Sequence, residues 1–147
     1  MPLVAITRLR LRGFRFLPQF GWQGRQNARQ AERAPGFIGG ALSADPLRLT
    51  FWTATVWENE AAMHAFRAAG EHRRVMPRLA DWCDEASVAH WEQPDASLPT
   101  PEEMLRRMTS GGRPSRLRHP SPDHAAGRVA ADARPPVHGT QLRPRGA

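Results

Sequence analysis

The chain has 147 residues, of which 40% are hydrophobic and 24% are charged, and its formal net charge is +7. This composition predicts one globular domain with an appendage, and it is too apolar for a wholly disordered chain. No run of about 18 apolar residues occurs, so we expect no membrane-spanning helix. The lone Cys83 excludes an internal disulfide, and the N-terminus lacks a signal-peptide pattern; together they predict a cytoplasmic protein.

The positive charge is concentrated in the C-terminal third. Residues 1–98 carry 12 arginines and 10 acidic residues, whereas residues 99–147 carry 9 arginines and 4 acidic residues. The chain has no lysine, and its Ala, Gly and Pro content is high, a pattern typical of GC-rich coding. The charge therefore does not indicate selection for phosphate contacts, and we do not expect nucleic acid to be a partner.

The first half of the chain alternates between strand and helix patterns. Apolar residues recur at every second position in Leu3–Leu11, which predicts a strand. A helix is predicted from about Leu17 to Ala34, where small residues recur every three or four positions. Pro35 and Gly36 end that helix, and a second strand follows in Phe37–Ala44.

The third predicted strand, Arg48–Trp57, is apolar on both of its faces. Trp52 lies on one face and Trp57 on the other, each among further apolar or aromatic residues. One layer of helices covers only one face of an antiparallel sheet, so the second face needs another cover. We expect a second copy of the chain to supply it, which predicts a homodimer.

The remaining elements complete a recognisable order. Helices are predicted from Glu60 to about Ala69 and from Glu71 to about Asp84, and a fourth strand in Ser87–Glu92. Strand, helix, two strands, helix and strand make an α+β, ferredoxin-like βαββαβ domain with a four-stranded antiparallel sheet, over residues 1–98. A capping Thr100 predicts a short appended helix in residues 99–109. Residues 110–147, with 6 Pro, 5 Gly and 7 Arg, are predicted to form a disordered basic tail.

His72 is the strongest candidate for a chemical role. On the predicted helix it shares one face with Met76, Leu79 and Cys83, at offsets of four, seven and eleven residues. A histidine on an apolar stripe can ligate haem iron or act as a buried base. A core or interface histidine that bonds a backbone carbonyl is the ordinary alternative, and the sequence leaves both open.

Aromatic and amide side chains suggest a cavity. Trp52, Trp57 and Trp82 could line a space for a flat apolar ligand, and His90 on the last strand could point into the same space. Core or interface packing is the alternative for each of them. Asn27, near the inner face of the first helix beside Gln23, could orient an oxygenated substrate, although a polar flank of the helix explains it equally.

Several segments resemble one superfamily. Trp57-Glu58, Phe66, His72, Trp82 and Thr100-Pro101-Glu102-Glu103 resemble the third strand, helices and following segment of the dimeric α/β-barrel proteins. That superfamily includes antibiotic-biosynthesis monooxygenases, haem-degrading monooxygenases and spheroidene monooxygenase. The resemblance extends over about residues 3–107 and is greatest to a bacterial family of unknown function related to spheroidene monooxygenase.

The resemblance implies a dimeric α/β barrel and a monooxygenase-like activity on a small apolar or aromatic substrate. It implies a haem ligand or base at His72, with Met76 beside it in a cofactor-binding site and no separate metal site. The implied pocket is lined by Trp52, Trp57, Phe66, Trp82, His90 and Asn27. Haem-dependent and cofactor-free mechanisms both stay open, and a non-catalytic dimeric protein that binds a small ligand or haem is the alternative function.

Overall fold

The computed structural model describes residues 1–129, 134–136 and 139–145, and one antiparallel sheet lies at its centre. The strands lie side by side in the order β5-β4-β1-β3-β2-β6. The strands are β1 Leu3–Leu11, β2 Phe37–Asp45, β3 Thr50–Trp57, β4 Cys83–Glu92, β5 Arg113–Pro114 and β6 Thr140–Leu142. The helices are α1 Leu17–Arg33, α2 Glu60–Arg67, α3 Gly70–Trp82, α4 Pro101–Gly111 and α5 Pro122–Ala125.

The predicted α+β class and the ferredoxin-like order of elements are confirmed, but the predicted four-stranded sheet is wrong. Six strands form the sheet, and the two additional strands, β5 and β6, come from the segment predicted to be disordered. Each pairs with an edge of the four-stranded core: β5 with β4, and β6 with β2. Backbone pairing at these edges orders parts of a segment that has few apolar residues of its own. Residues 130–133, 137, 138, 146 and 147 of the predicted tail lie outside the described residues.

One face of the sheet packs against α1, α2 and α3, and we call it the helical face. Strand alternation places Leu3, Leu9 and Trp57 on this side. They belong to two packing clusters that also contain residues of all three helices. Asn59 accepts a hydrogen bond from the backbone N–H of Ala62 at 2.9 Å, which caps α2 as its sequence predicts.

The opposite face is covered by α4, and we call it the α4 face. Trp52 is 2% exposed and belongs to one cluster with Met104 and Met108 of α4. Thr100 accepts a hydrogen bond from the N–H of Glu103 at 3.2 Å and begins this helix. The chain itself therefore supplies the second cover that Trp52 requires. The homodimer was predicted in order to cover this face, so that reason no longer holds, and the homodimer stays a prediction.

Two arginines of β1 form ion pairs with acidic residues of β4 on the α4 face, in a part of that face that α4 does not cover. Arg8 is 5% exposed, and its Nη1 lies 2.8 Å from Oε1 of Glu85. The hydroxyl of Ser121 donates to Oε2 of Glu85 at 2.9 Å, and Arg10 pairs with Asp84 at 2.9 Å. Arg8 is buried on a face where arginines alternate along the strand, because the C-terminal segment with Ser121 covers it.

Strand β4 begins at Cys83, four residues before the predicted start at Ser87. Cys83 pairs with Leu11 of β1 across a register shift, so the residues after α3 extend β4 instead of prolonging the helix. Asp84 has a weak helical preference, and hydrogen bonding to β1 outweighs the stronger helical preference of Glu85. Within the described residues, no helix has the length and apolar character needed to cross a bilayer.

Candidate functional site

A cavity of about 1120 Å³ lies between the helical face and the helices that cover it. Its volume is comparable to that of pockets that bind small organic molecules. Residues from β1, β3, β4, β6 and all three covering helices line it. Its lining on α1 includes Phe20, Gln23 and Asn27, and its lining on β3 includes Phe51, Thr53 and Thr55.

The cavity exists because α1 carries small residues where it crosses the sheet. Gly21 and Gly24 line the cavity, and a Cβ atom placed at either would meet no other atom within 4 Å. Ala28 continues the lining one turn further along the helix. Gly24 and Ala28 belong to the stripe of small residues that the sequence predicts along α1; Ala28 packs against the cluster around Trp57, and open space lies beside Gly24.

His72 lies on the cavity wall in a defined tautomer. Its Nδ1 is 3.3 Å from the carbonyl oxygen of Arg67, which can only accept, so Nδ1 carries a proton; Nε2 has no hydrogen-bond partner among the residues that the structure describes. Burial lowers the pKa of His72 below its ordinary value; the hydrogen bond to the Arg67 carbonyl opposes this shift, and the Arg67 charge adds to it. The imidazole is therefore neutral at pH 7 and is able to accept a proton at Nε2.

Gln30 of α1 holds the segment that carries His72. Its Nε2 donates to the carbonyl oxygens of Phe66 at 3.1 Å and Ala69 at 2.8 Å, and its Oε1 accepts from the backbone N–H of His72 at 2.9 Å. Gly70, at the start of α3, has a φ of +56°, a conformation that favours glycine. One side chain thus joins the end of α2 to the start of α3 and sets the position of His72.

A row of rings connects His72 to the sheet. The ring centroids of His72 and Phe66 are 4.9 Å apart, those of Phe66 and Trp57 are 5.0 Å apart, and those of Trp57 and Phe37 are 5.3 Å apart. The indole N–H of Trp57 donates to Oγ1 of Thr55 at 2.9 Å. This row makes one end of the cavity aromatic, and it restricts the orientation of the imidazole.

Polar groups of the cavity are concentrated on α1 and β4. Gln23 is 7% exposed, and its Oε1 has no hydrogen-bond partner among the described residues; the same holds for Oδ1 of Asn27. His90 faces the cavity from β4, where it pairs with Ala5 of β1. These side chains provide hydrogen-bonding capacity on an otherwise largely apolar wall.

The structure brings together seven of the eight residues that the sequence proposed for a site. These residues border the cavity: Asn27, Trp52, Trp57, Phe66, His72, Met76 and His90. The buried side chain of Trp52 nevertheless belongs to the cluster on the α4 face, because strand alternation directs it away from Trp57. Trp82, 6% exposed, packs with Leu11 in a neighbouring cluster and is outside the cavity wall.

Two contributions to the site were not anticipated from the sequence. Gln30 has no sequence signal that separates it from the other glutamines of α1, and its role depends on how α1 lies against α3. Strand β6 contributes Leu142 to the cavity wall, and the segment is attached to α1 through Glu32. Glu32 Oε2 accepts from the N–H of Arg143 at 3.1 Å, and its carbonyl accepts from the N–H of Arg145 at 2.7 Å.

His72 and Met76 are the cavity-wall residues that the sequence proposed for binding a cofactor. The described residues contain no group of three His, Cys, Asp or Glu side chains able to hold a metal ion. Burial raises the pKa of the Cys83 thiol to about 12, so it stays protonated and is not a nucleophile. For haem, the free Nε2 of His72 and the thioether of Met76, both on the cavity wall, are suitable donors, so the residues fit an iron ligand there.

Several solved structures with the same fold are named as oxygenases or monooxygenases. SnoaB from Streptomyces nogalater, a cofactor-independent oxygenase crystallised as a mutant, is 15% identical, with a TM-score of 0.54 over 64% of this chain and 94% of that one. An antibiotic biosynthesis monooxygenase is 15% identical, with a TM-score of 0.57 over 63% and 99%. Rv0793 from Mycobacterium tuberculosis is 10% identical, with a TM-score of 0.59 over 65% and 97%. At these identities the likeness establishes the fold alone.

Sequence comparison assigns the family without assigning an activity. No curated protein matches the chain. The model of a family described as a domain of unknown function, DUF3291, matches residues 17–113, which is more than half of the sequence. This range contains α1, the cavity-lining part of β3 and both helices that position His72. The chain belongs to the DUF3291 family.

Proposed function

We propose that this protein is a cofactor-independent monooxygenase whose substrate is a small aromatic molecule with an acidic C–H bond. One observation carries the proposal: a neutral His72, with its Nε2 lone pair free, lies on the wall of a large and mainly apolar cavity. A neutral imidazole in such a place is suited to remove a proton from a bound carbon acid. The fold that the chain shares with SnoaB, a cofactor-independent oxygenase, supports the choice of oxygen as co-reactant.

The proposed reaction converts a methylene group and O₂ into a ketone and water. Nε2 of His72 takes one methylene proton, and the electron pair of that C–H bond stays on carbon. The carbanion transfers an electron to O₂, and the two radicals combine to form the C–O bond of a peroxide, which takes the proton back from His72. Loss of the second C–H proton then breaks the O–O bond, forms the C=O bond and releases water, so no external reductant is required.

The aromatic row favours a flat substrate. Phe66 and Trp57 would stack against its rings, and the helices above would keep water from the carbanion. Met76, 38% exposed, borders the cavity and also a shallow cleft near the surface, which makes this side of His72 a route of entry. We also propose that the protein acts in the cytoplasm, as its cysteine content predicts.

The test is oxygen uptake with anthrone, a tricyclic ketone whose methylene is acidified by two rings, in the presence of a chelator. We expect one O₂ consumed per anthraquinone formed, and a His72→Ala variant slower by about 100-fold or more, the usual contribution of a general base. His119→Ala is the matched control, because His119 is exposed, contacts Asp81 and lies outside both the cavity wall and the cleft. Uptake by the wild-type protein no faster than in buffer would exclude the oxygenase, and full activity of His72→Ala would exclude His72 as the base.

A second candidate function, haem binding without turnover, is favoured by the same lone pair. The tautomer that makes Nε2 a base also makes it an iron ligand, and Met76 lies one turn further along α3. Titration with haemin separates the two functions. A shifted Soret band that His72→Ala abolishes supports haem ligation, whereas a spectrum equal to that of free haemin excludes it.

A further inference from the structure

Gln23 and Asn27 are the polar side chains of the cavity whose oxygens lack partners within the described residues. They are four residues apart on α1, so they project from the same side of the helix one turn apart. Gln23 is 7% exposed, so bulk water can replace little of the missing hydrogen bonding to its oxygen. A buried amide oxygen without a hydrogen bond is unfavourable, so this pair requires a partner that the described residues do not provide.

We propose that Gln23 and Asn27 form a subsite that binds hydroxyl groups, and that the ligand of the cavity is a phenolic aromatic molecule with two hydroxyls. The inference rests on the proposed function for identifying this cavity as the substrate site. It adds the chemical class of the substrate and two specificity-determining residues. The aromatic rings of the ligand occupy the apolar wall, and its hydroxyls reach the carboxamides.

Hydroxyl groups fit this pair better than charged groups do. A carboxamide presents an acceptor at one end and donors at the other, and a half-turn about its last torsion exchanges them. A hydroxyl both donates and accepts, so it can pair with either end, whereas a carboxylate only accepts. Phe20, Ala28 and Phe51 in the lining are apolar and would not compensate the desolvation of a charge, and the α1 arginines that also border the cavity, Arg25, Arg29 and Arg33, are exposed to solvent.

The spacing of the pair specifies the ligand further. Side chains four residues apart on a helix begin about 6 Å from each other. Two hydroxyls on adjacent ring carbons are much closer than this, as are hydroxyls on the neighbouring (peri) carbons of two fused rings, whereas hydroxyls at the far positions of two fused rings are well separated. The subsite therefore favours widely separated diols over catechols.

Ordered water is the alternative occupant of the pair, and the design of the test separates the two. If water alone satisfied the carboxamides, their removal would change the affinity of all aromatic ligands alike. If they bind ligand hydroxyls, their removal changes only the preference for hydroxylated ligands.

The experiment measures calorimetric affinity, under nitrogen, for naphthalene, a naphthalenediol with one hydroxyl on each ring, and the dimethyl ether of that diol. We expect the wild-type protein to bind the diol at least about 10-fold more tightly than the ether, since each neutral hydrogen bond contributes about 3- to 10-fold. Gln23→Met and Asn27→Leu, which conserve shape, should each lower this preference to about 3-fold or less, with naphthalene affinity unchanged. Gln19→Met is the matched control, because Gln19 is exposed one turn earlier on α1 and is outside the cavity wall.

An equal preference for the diol in wild type and in both variants would overturn the subsite, as would equal wild-type affinity for diol and ether. Asn27→Leu alone decides the matter if Gln23→Met does not fold, because Asn27 is only partly buried. Binding without oxygen separates this inference from the proposed function. If the protein prefers the diol but shows no oxygen uptake, the subsite is retained and the oxygenase is rejected. If it shows oxygen uptake without preferring the diol, the oxygenase is retained and the subsite is rejected.

Discussion

The two faces of the sheet are covered by the same chain, yet one is solid and the other is hollow. On the α4 face, Met108 and Val56 are fully buried and Trp52 is 2% exposed. On the helical face, a cavity of about 1120 Å³ separates α1 and α3 from the middle of the strands. Strand β3 presents large aromatic residues to both sides, so the strand does not explain the difference.

The covering helices explain it instead. Helix α4 inserts two long and flexible methionine side chains, Met104 and Met108, which fill irregular space well. Helix α1 presents Gly21 and Gly24 to the cavity, and a Cβ atom at either position would meet no other atom within 4 Å. The size of a few residues on the covering helix therefore decides whether a face becomes core or pocket, and the two faces should respond oppositely to substitution.

The largest effect is expected on the α4 face, where a charge is buried. Glu85→Gln leaves the buried guanidinium of Arg8, which is 5% exposed, without its negatively charged partner. Loss of one member of a buried ion pair lowers the free energy of unfolding by about 3 to 5 kcal/mol. Urea denaturation measures the change. A loss below about 1 kcal/mol, typical of surface pairs, would show that the face is wetter than its burial indicates.

A methionine-to-alanine substitution on each side of the sheet tests directly whether the α4 face is filled and the helical face is not. Met108→Ala should lower the free energy of unfolding by about 2 to 4 kcal/mol, because it opens a cavity in a filled cluster. Met76→Ala should cost less than about 0.5 kcal/mol, since Met76 is 38% exposed at the cavity edge. Equal losses in thermal or urea unfolding would contradict the contrast.

Filling the cavity should affect binding and spare stability. Gly24→Leu places a side chain in open space, so we expect aromatic ligands to bind about 10-fold or more weakly, a loss of about 1.4 kcal/mol. Stability should be unchanged or greater, because helical glycine costs up to about 1 kcal/mol relative to alanine. Gly111→Leu, near the end of α4 and also in open space, is the control that should leave binding intact.

The smallest effect is the pH dependence that His72 gives to stability. Its pKa is lowered by burial, so between its folded pKa and 6.5 the unfolded chain binds more protons than the folded one. The contribution of neutral His72 is complete above pH 6.5 and is lost as the pH falls through the folded pKa. Unfolding free energies of the wild type should therefore decrease in acid more than those of His72→Gln, with His64→Gln as control; parallel curves would contradict the burial of His72.

Most of the architecture was predictable because it depends on local patterns. Alternating residues in Leu3–Leu11, the Asn59 cap and the Thr100 cap each specify an element through neighbours in sequence. The apolar character of β3 on both faces correctly required two covers. The identity of the second cover was not predictable, because α4 reaches Trp52 only after the chain has turned back over the sheet.

The candidate site was predictable in part, for the same reason. His72, Phe66 and Trp57 meet as expected, since their elements follow one another closely in the chain. Trp52 does not join them, because period-two alternation directs it to the other face, and Trp82 is held beside Leu11 by the early start of β4. Gln30 and β6 enter the site through contacts between segments far apart in sequence, for which local patterns carry no information.

The sequence by itself determined the order of strands and helices, the two-sided burial of β3 and the aromatic side chains that line one end of the cavity. Tertiary structure alone decided which face became hollow, which tautomer His72 adopts and where the C-terminal segment lies. The physical reason is the distance along the chain over which each property is determined. Secondary structure depends on propensities and on side chains within one or two turns, whereas cavity volume, burial and hydrogen-bond partners depend on which distant segments come to lie side by side.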